Sequence, residues 1–166
     1  ASRSAMSSQT ELDKFNEHHT ERCGRPIQTI AFYAEVVADA LVLQDCASQE
    51  AAYSVMESLR QGAADVLDME ISDLQVQVVG KPGSESVDAL LYDPMPGGSG
   101  LLEQLVEHWP DVVVAAKRLA DECPSACESS CVDCLQHFRN SFYHDKLNRH
   151  TALEVFNDWG NTLSFA

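Results

Sequence analysis

The chain has 166 residues, of which 45% are hydrophobic and 22% charged, enough for one globular domain or one domain with a small metal-stapled module. Its 11 Lys and Arg face 26 Asp and Glu, a formal net charge of −15, so the surface as a whole repels nucleic acid and any phosphate contact must use a local basic patch. No apolar run approaches the ~18–20 residues of a membrane span, which argues against membrane partners.

Residues 1–26 are polar, rich in Ser, Glu and His, and read as a mobile tail in which His18 and His19 are solvated. The opening Ala-Ser-Arg-Ser-Ala-Met has the look of appended sequence, and the whole of a fragment of something larger. From Ile27 to Leu43 the text turns β-branched and aromatic, which predicts two strands joined near Ala38 and Asp39. Ser48 then caps a helix with Glu50 in its first turn. Ala52, Val55, Met56, Leu59, Ala63, Val66 and Leu67 form its apolar stripe. Leu74, Val76 and Val78 alternate with polar residues as a strand, Lys81-Pro82-Gly83-Ser84 is a turn, and Val87–Tyr92 is the hairpin mate. The order predicts an α+β fold, a small antiparallel sheet backed by helices.

Asp93-Pro94-Met95-Pro96-Gly97-Gly98-Ser99-Gly100 leads directly into a leucine-rich helix. Free backbone N–H groups in such a turn can cradle an anion. No Gly-Lys-Ser/Thr follows, however, and the dinucleotide glycine pattern is missing. Gly97, Gly98 and Gly100 are therefore expected to serve a sharp structural turn. Pro110 interrupts the helical text, and a second helix with Val112, Val113, Ala116, Leu119 and Ala120 on its apolar side runs to Cys123.

Cys123, Cys127, Cys131 and Cys134 lie within twelve residues of a chain with only two other cysteines, Cys23 and Cys46. Such crowding suits ligands of one soft or borderline metal, and four thiolates make a closed tetrahedral zinc site with no position left for a substrate water. Disulfides fit less well, since no signal peptide is visible and two cysteines would stay unpartnered; metal-bound thiols point to a reducing cytoplasm. A four-cysteine iron–sulfur cluster is the alternative cofactor. Radical-SAM chemistry, suggested by the spacing Cys127-x3-Cys131-x2-Cys134, needs a downstream barrel, and 32 residues follow Cys134. A redox pair at Cys131 and Cys134 lacks the strand-to-helix setting of such motifs.

Beyond the cysteines, Leu135, Phe138, Phe142 and Tyr143 suggest an apolar stripe, and Ala152, Leu153, Phe156 and Trp159 a last helix. Residues 136–150 hold three basic residues, Arg139, Lys146 and Arg149, three histidines and one acid. With aromatics interleaved, this is the candidate phosphate-facing patch; the bland alternative is that the arginines pair with surface acids. The expected layout is a tail over 1–26, an α+β domain over 27–122, and a zinc module with a C-terminal helix over 123–166.

Two stretches together resemble a known family. Tyr92-Asp93-Pro94-Met95-Pro96-Gly97-Gly98-Ser99-Gly100, and then Cys127-x3-Cys131-x2-Cys134-Leu135 with Arg139-Asn140, His144 and Leu147-Asn148-Arg149-His150-x-Ala152, are similar in order and spacing to the MrfA-type zinc-binding domain. That domain lies at the C-terminus of DEAD/DEAH-type DNA-repair helicases and in DrmB-like proteins of DISARM anti-phage systems. The resemblance runs from Val87 to Leu153. It implies zinc on Cys123, Cys127, Cys131 and Cys134, and a non-catalytic accessory role beside helicase motor domains in cis or a helicase subunit in trans, with single-stranded DNA as a further partner. Asn148 departs from the family's usual Asp, and no motor motif is present. The competing class is an enzyme for phosphoesters, using Asp88, Asp93 and the Gly97-Gly98-Ser99-Gly100 turn to hold a divalent ion.

Overall fold

A computed structural model describes residues 9–23, 35 and 37–159. Two compact units divide between Glu35 and Val36. In the first, α1 (Gln9–Arg22) occupies the segment expected to be a polar tail, with His19 and Arg22 in its last turn, where cations complement the helix dipole. The first of the two strands expected over 27–43 falls largely outside the described residues.

The second unit holds the α+β fold. Strands β1 (Ala40–Cys46), β2 (Gln75–Gly80) and β3 (Val87–Tyr92) form an antiparallel sheet in the order β1-β3-β2. The β2–β3 hairpin pairs Gln75 with Tyr92 through to Gly80 with Val87, and Leu41 pairs with Leu91 on the other side. Alternation along β3 sends Val87, Ala89 and Leu91 into the core. β1 changes register between Leu43 and Cys46, with Asp45 at φ 57°. Asp88 Oδ1 accepts the Asp45 backbone N–H at 3.0 Å, and Lys81 Nζ bridges Asp45 and Asp88 at 2.6 and 2.9 Å.

Helix α2 (Gln49–Leu67) is the spine. Ser48 Oγ accepts the Ala51 N–H at 3.0 Å, an N-cap, and Asp68 closes the other end in the left-handed region, donating its N–H to the Ala64 carbonyl. Its apolar stripe, Ala52, Val55, Met56, Leu59 and Ala63, is fully buried in the main core with Leu74, Ala89 and Leu91. Gly62 permits close contact with the next layer: a Cβ there would lie 2.8 Å from the Val112 carbonyl oxygen and 2.9 Å from the Ala116 nitrogen.

Helix α3 (Leu101–Glu107) follows the glycine turn and breaks at His108, where α4 (Trp109–Asp121) begins with Pro110 in its first turn, a position at which the missing N–H costs nothing. A 3-10 segment (Phe138–Lys146) and α5 (Arg149–Trp159) complete the unit. Phe156 is buried, meets Trp159 edge to face at 5.3 Å, and Trp159 stacks on Trp109 at 6.2 Å. No helix among the described residues is long and apolar enough to cross a membrane.

Candidate metal centre

The metal centre is built where α4 ends. Glu122 closes that helix, and Cys123 begins a loop in which the Ala126 N–H bonds to the Cys123 carbonyl at 2.9 Å, with Ala126 itself at φ 45°. A second turn mirrors it, the Cys134 N–H donating to the Cys131 carbonyl at 3.1 Å and the Cys131 N–H to Cys134 Sγ at 3.2 Å. The two turns face each other with sulfur separations of 3.6 Å (Cys123 to Cys127 and to Cys131), 3.7 Å (Cys127 to Cys134) and 3.9 Å (Cys131 to Cys134). A tetrahedral ion with Zn–S of ≈ 2.3 Å would space its sulfurs about 3.8 Å apart. All four sulfurs lie within 4.8 Å of one another, none is in a disulfide, and the set fits one four-coordinate ion.

Burial pushes the Cys134 thiol up to about 12, while the Cys127 backbone N–H heads the hydrogen bonds that lower Cys123 to about 6. A cation among the sulfurs would override both tendencies by favouring every thiolate.

The first half of the loop is held by Arg149. Its Nε donates to the Cys127 carbonyl at 3.0 Å and its Nη1 to the Ala120 and Asp121 carbonyls at 3.0 and 3.1 Å, while its backbone N–H reaches the Ser129 carbonyl at 2.8 Å. A fixed guanidinium thus ties the cysteine loop to the negative C-terminal end of α4. Asn148 Oδ1 accepts the His150 and Thr151 N–H groups at 3.0 and 3.5 Å, capping α5 and so setting where Arg149 starts.

The second half rests on a polar face of α2 opposite the apolar stripe. Glu50, Ser54, Glu57 and Gln61 recur at helical spacing, and each bonds to the C-terminal module: Thr151 Oγ1 to Glu50 at 2.7 Å, the Asn148 N–H to Ser54 Oγ at 2.8 Å, Tyr143 OH to Glu57 Oε1 at 2.6 Å, and Gln61 Nε2 to the Leu135 carbonyl at 3.1 Å. Glu57 is fully buried and pairs with Arg60 at 2.7 Å. His137 contacts Arg60 and lies 3.1 Å from Glu57 Oε2. Its Nδ1 accepts the Arg139 N–H at 3.2 Å, leaving Nε2 as the nitrogen that faces Glu57. Burial works to raise the Glu57 carboxyl, but the His137 hydrogen bond, the Arg60 charge and the Tyr143 hydroxyl outweigh it and hold the group below its ordinary value. Burial, helped by the Glu57 charge, pushes the Tyr143 hydroxyl far up.

The candidate phosphate patch is divided by the structure. Arg149 is spent on carbonyls, and Lys146 Nζ bonds to Gln49 Oε1 at 2.6 Å, 5.9 Å from the Tyr53 ring centre. Arg139 is exposed. The stripe expected at Leu135, Phe138, Phe142 and Tyr143 is split as well: Leu135 is buried and Tyr143 stacks on Tyr53 at 4.1 Å, whereas Phe138 and Phe142 are 92% and 76% exposed. Non-helical φ and ψ at Asn140 and Tyr143 break the spacing that would have aligned the four.

Gly97, Gly98 and Gly100 all have positive φ, as a structural turn requires. The buried Asp93 holds that turn, accepting the Met95 N–H at 2.8 Å and both the N–H and the hydroxyl of Ser99 at 2.5 Å. The Ser99 hydroxyl, then the Met95 and Ser99 amides, keep its carboxyl below the ordinary range. Asp88 is engaged elsewhere, with Lys81 and Asp45. The pair is not brought together, and the only cluster of potential metal ligands among the described residues is the cysteine quartet.

Fold and site define a small three-stranded antiparallel sheet backed by helices that carries a four-cysteine metal-ligand set, and known proteins narrow that class. The family model described as the MrfA Zn-binding domain matches residues 55–135, from within α2 through all four cysteines, so the resemblance carried by the sequence motifs holds. Druantia protein DruE of Escherichia coli (strain UMEA 4076-1) is 28% identical over 107 residues, which are 61% of this chain and 6% of that protein. The solved structure of the DUF1998 helicase MrfA bound to DNA shares the fold at a TM-score of 0.51 and 20% identity, covering 68% of this chain and 14% of that one. The chain thus spans a small fraction of the length of either relative.

Proposed function

We propose that this chain is a non-catalytic zinc-binding accessory domain of a DNA helicase or helicase-associated protein, in DNA repair or anti-phage defence. It docks on motor domains in cis, or on a helicase subunit in trans, and helps to guide single-stranded DNA. The observation that carries this reading is the quartet of sulfurs 3.6–3.9 Å apart across its four closest pairs, inside the segment that matches the MrfA Zn-binding domain. That spacing favours one shared ion over a four-iron cluster, in which each thiolate sits on its own iron and the sulfurs stand farther apart. Four thiolates leave no open coordination position, so the ion organises the fold and activates no water. The enzymatic alternative draws no support from Asp93, whose oxygens are filled by Met95 and Ser99.

The test is the parent protein carrying Cys131→Ser and Cys134→Ser. Nucleotide hydrolysis by the motor should persist, while its coupling to strand separation, or its assembly with the helicase subunit, should fall. Turnover of phosphoesters by the isolated wild-type chain, abolished in Asp93→Ala with folding intact, would instead establish the enzymatic alternative.

A further inference from the structure

The 3-10 segment presents two sides of unlike chemistry. Inward, Tyr143 and the capping His137 join the network on α2, and Asn140 ties the segment to Leu135, His137 and His144. Outward stand Phe138, Arg139, Ser141, Phe142 and Asp145, all exposed, with the two rings 92% and 76% accessible. Burying a phenylalanine is favourable, so two bare rings on nine residues form a surface on which a flat apolar ligand would gain. Their mount is firm. Asn140 is fully buried, and its side chain accepts the His137 N–H at 2.9 Å, meets His144 Nε2 at 2.7 Å and donates to the Leu135 carbonyl at 2.8 Å, so little backbone freedom is lost when a ligand arrives.

The company these rings keep identifies the ligand. No exposed aliphatic side chain accompanies them within the segment, as it would in a protein-docking patch. A guanidinium follows Phe138 directly, and residues 136–150 contain one of the chain's 26 acids, Asp145. Flat apolar faces beside a cation, in a stretch with a single acid, match the bases and backbone of a single nucleic-acid strand.

We propose that Phe138 and Phe142 form a two-ring stacking platform for the bases of single-stranded nucleic acid, with Arg139 contacting its phosphates. This rests on the strand-guiding part of the proposed function. The test measures binding of the zinc-loaded chain to oligo(dT) and to an abasic strand of equal length across a salt series. Phe138→Leu and Phe142→Leu should each weaken oligo(dT) binding by about fivefold or more, with zinc content and salt slope unchanged and little effect on the abasic strand. Arg139→Ala should lower the slope by about 0.7. If wild type binds oligo(dT) but the Phe variants bind equally well, the platform is overturned and strand guiding stands. If the variants lose both strands equally, stacking is likewise overturned. If wild type binds neither strand at millimolar concentration, strand guiding itself fails.

Discussion

Arg149 Nε donates to the carbonyl of Cys127 at 3.0 Å, so the residue that begins α5 fixes the first turn of the metal centre. Because Nη1 of the same guanidinium reaches the Ala120 and Asp121 carbonyls, one side chain joins α4, the cysteine loop and α5. A charged hydrogen bond contributes about 1.5–3 kcal/mol, and Arg149→Ala removes three. We expect a loss of about 2–4 kcal/mol of stability after relaxation, with faster zinc release to a competing chelator. Arg149→Lys should recover little of it, since a point charge cannot reproduce the fork. Thermal melts and chelator competition measure both, and an unchanged melt would show that the clamp is dispensable.

The Glu57 carboxyl lies below its ordinary value in the fold. A depressed acid contributes stability that is complete above the unfolded value, about 4.3, and that is lost as pH falls through the folded one. Glu57→Gln should therefore flatten the acid limb of the stability curve below about pH 4.5. At neutral pH, stranding Arg60 should cost about 3–5 kcal/mol. Denaturant melts of both proteins from pH 3 to 7 test this, and parallel acid limbs would contradict it.

At Gly62 two effects oppose. Alanine would raise helix propensity by about 1 kcal/mol, but its Cβ would stand 2.8 Å from the Val112 carbonyl oxygen of α4 and 2.9 Å from the Ala116 nitrogen. Backbone atoms cannot swing aside, so overpacking of about 1–3 kcal/mol should win. Gly62→Ala is expected to melt lower; a higher melt would mean that α4 slides freely.

At the glycine turn the cost is conformational. Gly97 has open space around it at φ 86°, while a Cβ on Gly98, at φ 77°, would meet only the end of the exposed Asp39 side chain, which can move. Each change to Ala should cost about 1–2 kcal/mol through the left-handed backbone alone. Asp93→Ala should cost more, because it strands the Met95 and Ser99 amides. Thermal melts rank the three, and neutral glycine variants would show that the turn tolerates another backbone path.

Much of this was legible in the sequence. The cap at Ser48, the hairpin over 75–92, the glycine turn and the cysteine quartet are local signals, each written in contiguous residues. The polar face of α2 was not. Ser54, Glu57 and Gln61 look like an ordinary solvated stripe, and only the return of the chain after Cys134 engages them, with Ser54 and Glu57 fully buried. Arg149 read as a surface cation for the same reason, because its partners are backbone carbonyls and carry no mark in the sequence. Phe138 and Phe142 read as part of one apolar stripe with Leu135 and Tyr143, an alignment that the 3-10 backbone does not keep.

The central claim, that one ion shared by four thiolates organises the fold from Cys123 onward, is tested most directly by metal and sulfide analysis of the chain purified without added metal, followed by chelation. The account predicts about one zinc per chain and no acid-labile sulfide. Stripping the zinc, a contribution on the order of 10–16 kcal/mol in small zinc modules, should unfold residues 123–159 and expose the polar face of α2. Iron with acid-labile sulfide, paired disulfides without metal, or a module that stays folded after complete zinc removal would contradict it.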